Sequence, residues 1–398
     1  MTALRGFRVV EIAEGVAGEY CGKLLADFGA ELIKVERPGT GSPTRSMAPI
    51  VGSDAGPENS GLFAYLNTNK KSVVLDLASK AGLDTLHKLI ATADVVIDDH
   101  DEDWLKNVGL TPAQAEHDHP SVIFCSITPF GHGAPAAWRN AKSINVFNAS
   151  GWGYHSPTAA DPSKPPLKGA GRFMADYEGA IDAALCIVSS LYWRTHSNQG
   201  QFVDISQMEV LVSRADCVVG RMITGEAEAN DLRTAYDMGG PHGFFRCADG
   251  FVYLMVTNRK HWLGLCKLMG NPEWSKSFDE NWLEFGATLE KVVEFRKHFA
   301  AWLLAAKKDE VSETAQRLDV PLVPVNNATD VQRSPQFVFR EYFQRVTHPV
   351  LGEALYPTVP YKMSATPVKI TSPAPLLGAH TATILDNRQA VGGAKAHA

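Results

Sequence analysis

The 398-residue chain has no Cys-x-x-Cys pair, and its six cysteines (Cys21, Cys125, Cys186, Cys217, Cys247 and Cys266) are nowhere spaced as metal ligands. That sets aside zinc-ribbon and thioredoxin-type readings. Most of these thiols lie in apolar patterns, where a free cysteine behaves as a small core residue. The one histidine cluster, His117-Asp118-His119, precedes Pro120 in a polar stretch with no third ligand nearby. It reads as a surface turn, so no metal is expected. No apolar run approaches the roughly 20 residues of a membrane span. No basic tract is present, and a net charge of -6 with pI near 6.1 argues against a nucleic-acid footprint. The opening MTALRGFRVVEIAEG lacks the apolar core of a signal peptide. The expectation is a cytoplasmic protein with neither membrane nor nucleic acid as partner.

What remains is an ordinary globular composition, 45% hydrophobic and 21% charged. The length favours two domains over one core. Residues 7–13 (FRVVEIA) read as a strand. In 19–28, Cys21, Leu24, Leu25 and Phe28 share one helical face, and Gly29 fits the left-handed cap. Strands follow at 31–36, 73–77, 95–98 and 122–126, with a helix over 80–93 capped by Ser79. Strand and helix alternate, which predicts a Rossmann-like α/β domain with a mainly parallel sheet. Residues 206–224 read as one more helix. A polar, Gly-rich linker at 225–243 then leads to a smaller α+β domain. Its signals are a hairpin at Asp249-Gly250, helices at 261–269, 289–306 and 309–318, and a strand in PLVPVNNATDV. The expected division is 1–224 with 335–398, and 225–334. Pro349, Pro357, Pro360, Pro367 and Pro373 predict an extended return segment without regular elements, and 390–398 should fray.

A dinucleotide reading finds partial support. A strand leads to Glu14-Gly15-Val16-Ala17-Gly18 and a helix, and Glu36 stands where a ribose-binding acid would fall. The turn is not G-x-G-x-x-G, however. A sharper signal is Asp176, at the start of an apolar helix in GRFMADYEGAIDAALCIVSSLYWRTHSNQGQFVDIS. A carboxylate suits a helix start, where free N–H groups and the dipole favour negative charge. Such an acid is a simple cap or a displayed reactive group.

Blocks along nearly the whole chain favour the second reading. They are LLADFGAELIKVERPGTG (24–41), LNTNKKSVVLDL (66–77), ADVVIDD (93–99), the Asp176 helix with SNQGQFVDIS, CADGFVYL, the Trp262 region and PLLGAHT (375–381). Their order resembles the family III CoA-transferases of the formyl-CoA and carnitine-CoA type, a family that includes the α-methylacyl-CoA racemases. The resemblance implies that Asp176 is a catalytic nucleophile. It also implies homodimers in which two ring-like chains interlock. The substrates would be an acyl-CoA and a carboxylic acid, with no other cofactor. Val16 and Ala17 match backbone positions that contact CoA. Arg37 matches an arginine near its adenosine and phosphates. Leu75 to Ala78, and Asp99 to His100, match the borders of adenine and ribose, and Lys142 falls near a CoA-contacting lysine.

Asn107 departs from the arginine that some members place on the phosphates, which leaves that contact to Lys106, Lys70 or Lys71. Asp99 replaces a neutral residue and would repel a facing phosphate. Gly-rich Met238-Gly239-Gly240 is a candidate oxyanion donor. Trp152, Tyr154, Tyr236 and Phe244 are candidates for the mouth of an acyl pocket. The racemase alternative needs a histidine base, but Lys142-Ser143 stands at that position and Asn258-Arg259-Lys260 replaces a further expected acid. A hydrolase or lyase variant of the same covalent chemistry and a non-catalytic acyl-CoA-binding protein are the remaining alternatives, and the presence of Asp176 weighs against the second.

Overall fold

The computed structural model describes residues 2–52, 56–155, 171–225 and 241–386. By contacts the chain divides into two compact units, Met1–Asp231 with Tyr342–Ala398, and Leu232–Glu341.

The larger unit is built on six parallel strands: β1 (Arg8–Glu11), β2 (Glu31–Glu36), β3 (Lys70–Val74), β4 (Val95–Asp98), β5 (Ile123–Thr128) and β6 (Gln201–Ser206). Their spatial order is β3-β2-β1-β4-β5-β6. Val10 pairs with Ile33 on one side and Val96 on the other. The order reverses between β1 and β4, and ligands of such sheets bind at the carboxyl ends of the strands at that reversal. Helices fill the crossovers: α1 (Val16–Asp27), α2 (Gly61–Leu66), α3 (Lys80–Ile90), α4 (Glu102–Val108), α5 (Pro112–Asp118), α6 (Ser143–Ala149), α7 (Trp152–His155), α8 (Met174–Ser197), α9 (Gln207–Ser213) and α10 (Asp216–Thr224). The expected single helix over 206–224 is two, because the chain breaks at Arg214 and Ala215.

α1 and α8 cover one face of the sheet. Ala180, Ala183, Ile187 and Leu191 of α8 share a core with Cys21 and Leu25 of α1 and with Val9, Ile97 and Ile127 of the sheet. Glycines allow α1 to sit close. A Cβ on Gly18 would lie 2.1 Å from the Ala13 Cβ, and one on Gly22 would lie 1.8 Å from Glu11 Oε2. Gly29 has φ +96°, as its cap position requires.

Beneath α1 lies a buried ionic network. Lys34 Nζ reaches Glu11 at 3.0 Å and Glu19 at 2.9 Å, and Lys70 Nζ reaches Glu11 at 2.7 Å. Arg45 holds both oxygens of Glu36, at 2.7 and 2.9 Å. The third strand therefore begins at Lys70, earlier than the expected Val73: its lysine is a core residue with a partner on β1.

In the smaller unit β7 (Gly243–Cys247), β8 (Gly250–Leu254) and β9 (Leu322–Val325) form an antiparallel sheet. Trp262, Phe278, Trp282, Phe295 and Phe299 fill its core. α11 (Arg259–Leu268), α12 (Trp282–Phe285), α13 (Leu289–Leu303), α14 (Lys308–Arg317), α15 (Ala328–Arg333) and α16 (Pro335–Phe339) complete this unit. The chain rejoins the larger unit at Tyr342. There the expected irregular segment contains an antiparallel hairpin, β10 (Phe343–His348) and β11 (Gly352–Pro357). The prolines do not prevent it, because Pro349 falls in the turn and Pro357 ends the second strand. Residues 358–380 have no helix or strand before α17 (Thr381–Asp386). Residues 390–398 lie outside the described residues. No helix among the described residues is long and apolar enough to cross a membrane.

Candidate active site

A cleft of about 580 Å³ opens at the carboxyl ends of the strands in the larger unit. Its wall combines the turn after β1 (Glu14 to Ala17), Arg37 after β2, and Asp99, His100 and Trp104 after β4. Arg139 to Ile144 follow β5, and Arg172, Phe173, Asp176 and Gln207 complete it. Of the residues singled out by sequence, Val16, Ala17, Arg37, Asp99, His100, Lys142 and Asp176 thus meet at one cleft.

Asp176 lies in the first turn of α8, whose N-cap, Phe173, offers no side-chain acceptor. Burial pushes its carboxyl above the usual aspartate range, although the nearby polar groups of Ser143 and Gln207, its own N–H and the charge of Lys142 pull the other way. Its Oδ2 is buried and has no hydrogen-bond partner among the described residues. Buried polar atoms are almost always paired, so an unpartnered carboxylate oxygen in a residue that lines a cleft marks a candidate functional group. The surrounding positions hold it there. Ser143 Oγ accepts the Ala175 N–H at 3.2 Å. Gly179 leaves room for Gln207, whose Cγ would lie 2.9 Å from an added Cβ.

The neighbouring turn differs. Asp99 accepts the N–H groups of Glu14 at 2.8 Å and Gly15 at 2.6 Å, so a carboxylate of the chain itself occupies the start of α1. Burial pushes the Asp99 carboxyl up to about 6. This explains why the dinucleotide reading fails: the helix N-terminus that would hold a pyrophosphate already holds Asp99. Glu36 is also taken, by Arg45, Ser72 and the Ser42 N–H. His100 stacks on Trp104 with ring centres 3.6 Å apart. Burial alone would lower its pKa, but Asp98 at 2.7 Å and Glu14 raise it to about 10, so it is an imidazolium. His100 and Arg37 together hold Glu14 below its usual range against the effect of its own burial.

Other residues read from sequence fall elsewhere. Leu75 is a core residue, Ala78 sits in the turn before α3 with its N–H on Asp76, and Lys106 is exposed on α4; none lines the cleft. Lys70 cannot serve as a phosphate ligand, because its side chain is fully buried and neutralises Glu11. Lys71 is tied to Glu31 at 2.6 Å. Trp152 packs inward with its indole N–H on Leu211 O at 2.8 Å, and Phe244 is exposed in the smaller unit. Tyr236 and Met238-Gly239-Gly240 lie outside the described residues, as does the Tyr154 side chain. Sequence reasoning missed Arg139, Arg172, Ser143 and Gln207. Only Arg172, four residues before Asp176, carried a local signal.

Comparison with known proteins gives the family. Residues 4–381 match the model of CoA-transferase family III. The chain is 31% identical over 387 residues to the succinate–glutarate CoA-transferase of Agrobacterium fabrum, covering 96% of this chain and 94% of that one. It is 28% identical to the formyl-CoA:oxalate CoA-transferase of Afipia carboxidovorans, with 96% and 93% covered. Among solved structures, a CAIB/BAIF family protein from Brucella suis superposes with a TM-score of 0.79 at 26% identity, covering 97% of this chain and 99% of that one.

Proposed function

This chain belongs to CoA-transferase family III, and from that premise we propose that it moves CoA between an acyl-CoA and a carboxylic acid through an aspartyl-CoA thioester on Asp176. The observation that carries the proposal is the buried, unpartnered Oδ2 of Asp176 on the wall of the cleft.

The proposed steps balance without a further cofactor. Asp176 attacks the donor thioester carbonyl, forming an acyl–aspartyl anhydride and releasing CoA thiolate, which stays bound. The thiolate attacks the aspartyl carbonyl of the anhydride, leaving an aspartyl-CoA thioester and the free donor acid. The acceptor carboxylate attacks that thioester and expels the thiolate. The thiolate then attacks the acceptor's carbonyl in the new anhydride, giving the product acyl-CoA and regenerating Asp176. Val16, Ala17, Arg37, Asp99, His100 and Lys142 are the proposed CoA contacts. Arg139, also on the wall, adds a guanidinium suited to phosphate.

Racemisation is not favoured. It needs a neutral base facing the α-carbon, whereas the cleft's histidine, His100, is an imidazolium committed to Asp98 and Glu14. The substrate class follows from the relatives. Succinate, glutarate and oxalate, in the names of those two proteins, are all dicarboxylates, and we take a dicarboxylic acid as acceptor here. A homodimer in the cytoplasm is part of the same proposal. Ile181, Leu185, Val188 and Tyr192 form an exposed stripe on α8 that supports a second copy as its cover.

Asp176→Ala tests the covalent path. Turnover should fall by at least about 10³-fold while CoA binding, measured by calorimetry, changes little. Unchanged turnover would exclude Asp176 as nucleophile.

A further inference from the structure

Besides His100, which is committed to Asp98 and Glu14, four cationic side chains line the cleft, and they are not equivalent. Arg37 is tied to Glu14, with Nε to Oε1 at 2.6 Å. Arg139 donates to Asp103 at 2.8 Å and lies 3.8 Å from Glu102. Lys142 acts electrostatically on Asp176. Arg172 alone has no carboxylate facing it among the described residues. Its Nη1 donates to the Ala48 carbonyl oxygen at 3.2 Å, and its guanidinium carbon lies 5.0 Å from the centre of the Phe173 ring. These contacts orient the guanidinium, and among the described residues most of its five N–H donors have no other acceptor.

Position adds to this. The contact with Ala48 ties Arg172 to the chain next to Met47, while Arg139 is bound to Asp103 on α4, beside Trp104; both Met47 and Trp104 line the cleft. Asp176 follows Arg172 by one helical turn's length of chain. An acid whose reacting carboxylate meets Asp176 has a cationic, planar, bidentate donor on the same wall for a second carboxylate.

We propose that Arg172 binds the non-reacting carboxylate of a dicarboxylic substrate and so sets the preference for diacids over monoacids. The inference rests on the transferase reading and deepens it. Because donor and acceptor acids take turns at Asp176, the preference applies to both half-reactions.

The test is a matched panel: succinyl-CoA against butyryl-CoA as donors, and glutarate against valerate as acceptors. The quantity read is the ratio of kcat/KM within each pair. In the wild type the diacid member should lead in both pairs. Arg172→Gln should reduce that lead about 10- to 100-fold, because a charge-assisted bidentate contact is lost. Arg172→Lys should retain an intermediate lead, since it keeps the charge without the fork. A wild type with no diacid preference would overturn the proposal, whatever the variants do. So would a Gln variant that slows both members equally, since that pattern is structural. If the wild type transfers CoA to no acid and forms no adduct on Asp176 with any donor, the transferase reading itself fails. Transfer without discrimination removes only the role of Arg172.

Discussion

Two sets of buried carboxylates in the larger unit are treated in opposite ways. Beneath α1, every oxygen of Glu11, Glu19 and Glu36 has a partner: Lys34 and Lys70 for Glu11, Lys34, Ser42, Thr44 and Asn67 for Glu19, and Arg45, Ser72 and the Ser42 N–H for Glu36. At the start of α8, Asp176 keeps one buried oxygen without a partner. A folded chain pairs the charges that only hold it together, since an unpaired buried charge costs several kcal/mol. An unpaired one is tolerated where it has chemistry to perform. The contrast supports the proposed role of Asp176 without recourse to any relative.

The comparison can be broken from its paired side first. Lys70→Met removes the partner of a fully buried Glu11 and leaves a carboxylate without its closest cation. Urea denaturation should show a loss of about 3–5 kcal/mol. A loss below 1 kcal/mol would mean that the network is not paired as described.

Asp176→Asn should do the reverse. Burial raises the folded-state pKa of Asp176 above its ordinary 3.8, so the folded protein disfavours the ionised form of this group. Sign follows from linkage: the folded state binds this proton more tightly than the unfolded chain, so the penalty disappears as pH falls through the raised pKa. The Asn variant should therefore be more stable than wild type at pH 7, by about 1 kcal/mol. Its advantage should shrink as the solution is acidified. Thermal unfolding at pH 7 and pH 5 checks both. The same shift places the acidic limb of wild-type kcat/KM above the pH of an ordinary aspartate, because protonation removes the nucleophile.

Much of this was legible in the chain. Strands β2 and β4 fall at the residues their apolar runs predict, Ser79 caps α3 as read, and the Asp249-Gly250 turn joins a hairpin. These features are local, set by periodicity and turn chemistry. Lys70 was misread because charge normally means surface, and its partner Glu11 lies 59 residues away. The β10–β11 hairpin was missed because prolines were counted without regard to register. Asp176 could be picked out from its helix start and its surrounding block. Ser143 and Gln207, which line the cleft beside it, come from other elements and have no pattern of their own. Asp99 was read as a ligand border; its bonds to Glu14 and Gly15 exist only once β1 and β4 are neighbours in the sheet.

The central claim is that Asp176 becomes covalently linked during turnover. Incubating the protein with acyl-CoA donors, quenching with hydroxylamine and mapping peptides by mass spectrometry reads it directly. The account predicts a hydroxamate on the peptide carrying Asp176, formed only when donor is present. Transfer of CoA between acids with Asp176 unmodified under every donor would contradict it.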